Sequence, residues 1–210
     1  MEGIVTRRVI PLDNSCLFNA VRYVMDHDKN KAPELRQLLT FNILYSQLPN
    51  MLSLLVSVHM GVIGILDLEI HFCTIELSIL ADYYGHEIAA YDIQTTRCDL
   101  YGQEKKYSER VMLIYDGLHY DALAMSPFDE APEEFDQTIF PVRSNRTIGL
   151  VEGPALNLVK EQHRRLWSML KRLTMLIFRS IDDRNPDQKE DTFYISEKLF
   201  GSEFIDLLKN

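Results

Sequence analysis

Asp116-Gly117 stands between two apolar, β-prone runs, Arg110–Tyr115 and Leu118–Met125, and no other feature of the chain constrains its fold as much. Asp-Gly between strand-like runs readily forms a tight turn, so the two runs are expected to pair as an antiparallel hairpin. Glu87–Ile93 supplies another apolar strand, and Ile4–Ile10 a short one that ends at Pro11, which cannot donate to a central ladder. Thr138–Val142 reads as a further strand, and Ser126–Asp136, acidic and proline-bearing, as a surface loop. Helices are expected between the strands. Asp13, Asn14 and Ser15 are capping residue types, and Leu17, Ala20, Val21 and Val24 then lie on one helical face, which puts Cys16 on the first turn. A second helix is predicted from Pro33 to about Ser46, and a third from Thr74 as its cap to Gly85 as its stop, with Glu76 in its first turn. The pattern predicts a mixed α/β (α+β) fold, a central sheet flanked by helices.

The chain has 210 residues, room for one globular domain with a real core (1–150) and an appendage (151–210). In the appendage, Ala155–Arg179 reads as one long helix carrying Lys160, Arg164, Arg165, Lys171, Arg172 and Arg179, a charged and solvated face. A polar break, Asp182–Asp191, and a short amphipathic end, Ile195–Leu208, follow. The net charge of −9 argues against nucleic acid as a partner, since phosphates would repel the surface as a whole. The cysteines Cys16, Cys73 and Cys98 are odd in number, without C-x-x-C spacing, and none follows Cys98, so no zinc module is expected in the second half. Cys73, Cys98, His27, His59, His71, His86 and His163 form no ligand spacing and are assigned no role. Free thiols point to a reducing compartment, and the charged N-terminus lacks the apolar run of a signal peptide, so a cytoplasmic protein is expected. Met51–Leu66 is nearly all apolar but falls slightly short of the roughly 18 uninterrupted residues of a membrane span; it reads as a buried or poorly folding helix, with a membrane-tethered form as the less favoured alternative.

Two segments carry chemistry. Cys16 falls at a helix N-terminus, where unpaired N–H groups and the positive end of the macrodipole favour a thiolate and can hold an oxyanion. His119 follows the Asp-Gly turn, and strand alternation puts Asp121 on its face, where a carboxylate can fix the tautomer and orientation of the imidazole.

Asp13-Asn14-Ser15-Cys16-Leu17-Phe18 resembles the cysteine loop of the ovarian tumour (OTU) family of deubiquitinases, and Tyr115-Asp116-Gly117-Leu118-His119-Tyr120-Asp121-Ala122-Leu123 resembles their histidine loop. Gly3 to Val24, Thr74 to Gln94 and Arg97 to Pro127 are similar to the YOD branch, most closely its plant members. The resemblance implies a papain-like cysteine protease fold. It implies a thiol isopeptidase acting on ubiquitin–lysine bonds without a metal or organic cofactor, with Cys16 as nucleophile, His119 as general base and Asp13 as the acidic residue of the family's D-x-x-C motif, shaping the oxyanion site. Either Asp13 or Asp121 would orient His119. Ubiquitin and ubiquitinated proteins are the implied partners. The chain departs from the pattern in Phe41–Cys73, where relatives carry an amphipathic lobe and a Trp-Gly-Gly-type segment beside the ubiquitin tail channel. That stretch reads as an altered splice product or a shifted frame, and it sets up the alternative reading of a catalytically impaired remnant serving as an interaction protein. The branch's zinc finger and ubiquitin-like domain have no counterpart here, which puts docking on a hexameric AAA ATPase in doubt.

Overall fold

The structure is a computed structural model that describes residues 3–13, 15–29, 32–42 and 65–182. The chain divides into two compact units, Met1–Val159 and Lys160–Asn210. The first is built on a six-stranded mixed sheet ordered β1-β5-β4-β2-β3, with β6 added beside β4. Its strands are β1 (Ile4–Arg8), β2 (Glu87–Asp92), β3 (Cys98–Tyr101), β4 (Glu109–Tyr115), β5 (Tyr120–Ser126) and β6 (Phe140–Pro141). The β2–β4 pair is parallel and the others antiparallel. The helices are α1 (Cys16–Asp26), α2 (Ala32–Asn42), α3 (Ile65–Tyr84) and α4 (Glu152–Asp182). Helix α1 packs on β4 and β5, α3 on β2 and β3, and α2 against both helices.

The core explains why β2 and β4 read as continuous apolar runs rather than alternating ones. Ile88, Ala90, Val111 and Leu113 join the cluster under the helices with Leu17, Val21, Leu77 and Leu80. Their strand neighbours Ala89, Met112 and Ile114, which face the other way, are buried as well. A parallel pair at the centre of a sheet is covered on both sides and has no polar face to show.

Three local features differ from the sequence expectation. Thr74 does not cap a helix: α3 runs through it from Ile65 to Tyr84. No glycine or proline interrupts that stretch, so helix propagation overrides the capping preference, and the Thr74 carbonyl accepts Ser78 Oγ at 2.9 Å instead. The helix does stop at Gly85, which takes the left-handed φ of 66°. Strand β3 is not evident from sequence; only two of its four residues, Leu100 and Tyr101, are even half-buried, so it lacks an apolar signature. The expected β4–β5 hairpin forms, but its loop holds four residues between the paired Tyr115 and Tyr120, closed by the Asp116 N–H on the His119 carbonyl at 3.2 Å. Gly117, with φ of 105°, supplies the positive φ the turn requires. Of the apolar run Met51–Leu66, residues 51–64 lie outside the described residues. Among those described, no helix is long and apolar enough to cross a membrane. In the second unit the described residues continue α4 to Asp182, where Glu161 pairs with Arg164 and Arg165 on the helix surface.

A buried ionic tie closes β1 against the acidic loop. Asp136 accepts Arg8 Nε at 2.6 Å, Arg8 Nη2 at 2.7 Å, Tyr23 Oη at 2.6 Å and the hydroxyl of Ser126. Burial alone would push this carboxyl up, but the hydrogen bonds from Arg8, Ser126 and Tyr23, with the Arg8 charge, outweigh it and hold Asp136 below the ordinary 3.8. A second tie joins Glu87, fully buried at the start of β2, to Arg110 and Arg146, while Arg110 also reaches Glu152 at the start of α4.

A carboxyl depressed on folding contributes stability that is complete above its unfolded value and lost as pH falls through its folded value. Asp136→Asn should therefore lower stability by about 3 kcal/mol near neutrality. The gap between variant and wild type should shrink once the pH drops below about 4. Urea denaturation from pH 7 to pH 3 checks this, and a gap that stays constant across the range would contradict it.

Candidate active site

The described residues between Ile10 and Cys16 are held by local hydrogen bonds. The Asp13 N–H donates to the Pro11 carbonyl at 2.9 Å, and the Cys16 N–H to the Asp13 carbonyl at 3.4 Å. The Asp13 carboxylate accepts the Ser15 N–H at 2.8 Å and takes both its oxygens to Asn19 Nδ2, at 3.2 and 3.3 Å. Asn19 is buried one turn into α1, so Asp13 clamps the loop to the helix that follows it. Ser15 is the N-cap and makes no side-chain cap bond, and its own N–H donates to the Asp13 carboxylate. Leu17, Phe18, Ala20, Val21 and Val24 are buried and fix α1 on the sheet. Cys16, the first helical residue, is partly exposed and packs at the edge of the core. Asn14 lies outside the described residues.

The second segment is the β4–β5 loop. Asp116 Oδ1 accepts the N–H groups of Leu118 at 3.1 Å and His119 at 2.9 Å, so the turn aspartate sets the backbone that carries the imidazole. His119 directly precedes β5 and is 8% exposed; Asp121, two residues on, is 1% exposed. Strand β5 lies between β1 and β4, so this is not a solvated edge pair.

The two segments meet at Ile10. Its carbonyl lies 3.1 Å from His119 Nε2, and its N–H donates to Asp121 Oδ1 at 2.6 Å. Asp121 Oδ1 is in turn 3.2 Å from His119 Nε2. Both neighbours of Nε2 are acceptors, so Nε2 carries the proton and Nδ1 holds the free lone pair. Asp121, not Asp13, is the carboxylate in contact with the imidazole. Asp13 works on the other side, holding the cysteine loop.

Sequence reasoning does not find three participants. Arg7 donates Nε to Asp121 Oδ2 at 2.6 Å. Asn19 ties Asp13 to the helix, and the Ile10 backbone bridges the loops. Arg7 and Asp121 are far apart in sequence and meet only through the β1–β5 register, which pairs Arg7 with Leu123 and Arg8 with Ala122. The signal that was present is Arg7 itself, a charged residue inside a strand that then needs a partner.

A cleft of about 90 Å³ opens beside Tyr120, lined also by Cys73, Thr74, Tyr101 and Tyr115. Burial holds the Tyr120 phenol far above its usual range, so it stays a neutral wall of the cleft. Tyr115 stacks on Tyr120, with ring centroids 4.5 Å apart. Cys98 is exposed, and no cluster of metal-ligating side chains occurs among the described residues. What remains chemically is a thiol at a helix N-terminus and an imidazole with a buried carboxylate behind it, on loops joined through Ile10. A thiol, an imidazole and a carboxylate behind it are the residue types that nucleophilic acyl transfer uses.

No family model matches the chain. It is 61% identical over 166 residues to the ovarian tumour domain-containing deubiquitinating enzyme 2 of Arabidopsis thaliana, which covers 79% of this chain and 80% of that protein. It is 44% identical to the ubiquitin thioesterase OTU1 of Dictyostelium discoideum, over 65% of this chain and 43% of that one. To the human ubiquitin thioesterase OTU1 it is 38% identical, over 77% and 46%. The chain thus matches less than half the length of either OTU1 protein. Among solved structures, an OTU domain in complex with ubiquitin superposes with a TM-score of 0.58 at 20% identity, covering 77% of this chain and 88% of the other. This likeness identifies the papain-like OTU fold. The identity to the Arabidopsis protein, over most of both chains, decides the family: the chain belongs to the ovarian tumour domain family of deubiquitinating enzymes.

Proposed function

We propose that this chain is a thiol isopeptidase that hydrolyses ubiquitin–lysine isopeptide bonds, with Cys16 as nucleophile and His119 as general base. The observation that carries the reading is the junction at Ile10, where one backbone unit of the cysteine loop bonds both His119 and Asp121. Membership of a family of deubiquitinating enzymes supplies the substrate class.

In the proposed reaction His119 Nδ1 takes the thiol proton, and the Cys16 sulfur attacks the carbonyl carbon of ubiquitin's terminal glycine. The oxyanion that forms is met by N–H groups in the first turn of α1, which the Asp13 clamp on Ser15 and Asn19 keeps in place. The C–N bond then breaks, and the imidazolium passes its proton to the departing lysine amine. A thioester on Cys16 remains. Water, deprotonated by the same imidazole, adds to the thioester carbonyl, and the carboxylate of ubiquitin leaves as the thiol is restored. Asp121 holds Nε2–H throughout, so the lone pair of Nδ1 keeps its direction through both half-reactions. The side-chain-poor end of ubiquitin suits a narrow approach to Cys16, which would reject bulkier chains. The three free cysteines fit a reducing, cytoplasmic setting for this chemistry.

Ubiquitin bearing a C-terminal electrophile should form a covalent adduct at Cys16, located by peptide mass spectrometry, and Cys16→Ala should form none. An unlabelled Cys16 in folded wild-type protein would instead favour the non-catalytic remnant. His119→Ala should fold normally and lose at least about a hundredfold in turnover of a ubiquitin-amide substrate. Unchanged turnover would remove His119 from the mechanism.

A further inference from the structure

We infer that Arg7 is a positioning residue for the His119 base, coupling the orientation of the imidazole to the register of β1. The inference rests on the deubiquitinase reading above and adds a residue to it.

Asp121 is 1% exposed, and a carboxylate so buried needs a cation or several donors to stay charged. Its Oδ1 faces the Ile10 N–H and His119 Nε2, and its Oδ2 takes Arg7 Nε at 2.6 Å. Arg7 is the cation in this group. Without it, the strong remaining donors would both fall on Oδ1, and the carboxyl would be free to rotate, which loosens the hold on Nε2.

The guanidinium has a second arm. Arg7 Nη2 reaches Asp116 Oδ2 at 3.6 Å, and Asp116 Oδ1 holds the N–H groups of Leu118 and His119. One planar fork therefore touches the carboxylate behind the imidazole and the carboxylate beneath its backbone. Arg7 is the fourth of the five residues of β1, and three residues later the chain leaving that strand delivers Ile10 to the site. The two ends of His119 and the start of the cysteine loop are thereby fixed by one short stretch of chain. The Arg7 side chain is 25% exposed, which places it at the rim of the site rather than in the core.

Arg7→Gln removes the cation, and Arg7→Lys restores a charge beside Asp121 without the second arm to Asp116. In hydrolysis of a ubiquitin-amide substrate, Arg7→Gln should lower kcat by about 10- to 100-fold with KM within about twofold, the scale of a misplaced catalytic group. Arg7→Lys should fall between that variant and wild type. The double variant with Asp121→Asn should be no slower than Asp121→Asn alone, because both act through the same imidazole. Wild-type kcat in Arg7→Gln or Arg7→Lys, or losses that multiply in the double variant, would overturn the inference, as would a loss confined to thermal stability. If the wild-type chain itself neither cleaves the substrate nor reacts with the electrophilic ubiquitin, the deubiquitinase reading falls, and this inference with it.

Discussion

The carboxylate of Asp121 is the contact on which the arrangement of the site depends. It is buried at the start of β5, and it joins three parts of the chain that are remote in sequence: Arg7 in β1, Ile10 at the mouth of the cysteine loop, and His119 in the β4–β5 loop. Each partner satisfies a different need. Arg7 balances the charge, the Ile10 amide finds an acceptor away from water, and the imidazole is held in one tautomer. Because the site borrows its geometry from strand pairing, the same hydrogen bonds that build the sheet align the chemistry.

Two carboxylates of the motif divide the labour. Among the described residues, the Asp13 carboxylate bonds within the cysteine loop and the helix that follows it, to Ser15 and Asn19. Asp121 bonds across the loops. The distinction is one of reach: Asp13 has its donors within six residues of sequence, whereas Asp121 depends on donors from β1. The Arg8–Asp136 tie uses the neighbouring arginine for a structural purpose, fastening β1 to the loop after β5 and to Tyr23 of α1. Adjacent arginines on one strand thus point to different carboxylates, one at the site and one in the frame around it.

What is legible in the sequence is local. The hairpin at Asp116-Gly117, the amphipathic face of α1 and the Gly85 stop each depend on residues a few positions apart, and each forms, the hairpin with a four-residue loop in place of the tight turn. The cysteine and histidine motifs are legible by resemblance. Pairings set by strand register are not: no periodicity says that Arg7 lies across from Leu123, so the partner of Asp121 stays hidden and the choice between Asp13 and Asp121 stays open. The Thr74 cap fails for a related reason. A favourable cap is only an option for the backbone, and a neighbouring stretch free of glycine and proline carries the helix past it. The far end of the atypical segment ends up useful, since Cys73 lies within α3, packed on the core and lining the cleft beside Tyr120.

The most direct measurement is a crystal structure of the chain covalently trapped with electrophile-tipped ubiquitin. The account requires the adduct on the Cys16 sulfur, His119 Nδ1 within about 4 Å of it, and Nε2 still facing Asp121 and the Ile10 carbonyl. Attachment elsewhere, or an imidazole whose Nδ1 points away from the sulfur with Asp121 bonded to neither ring nitrogen, would contradict it.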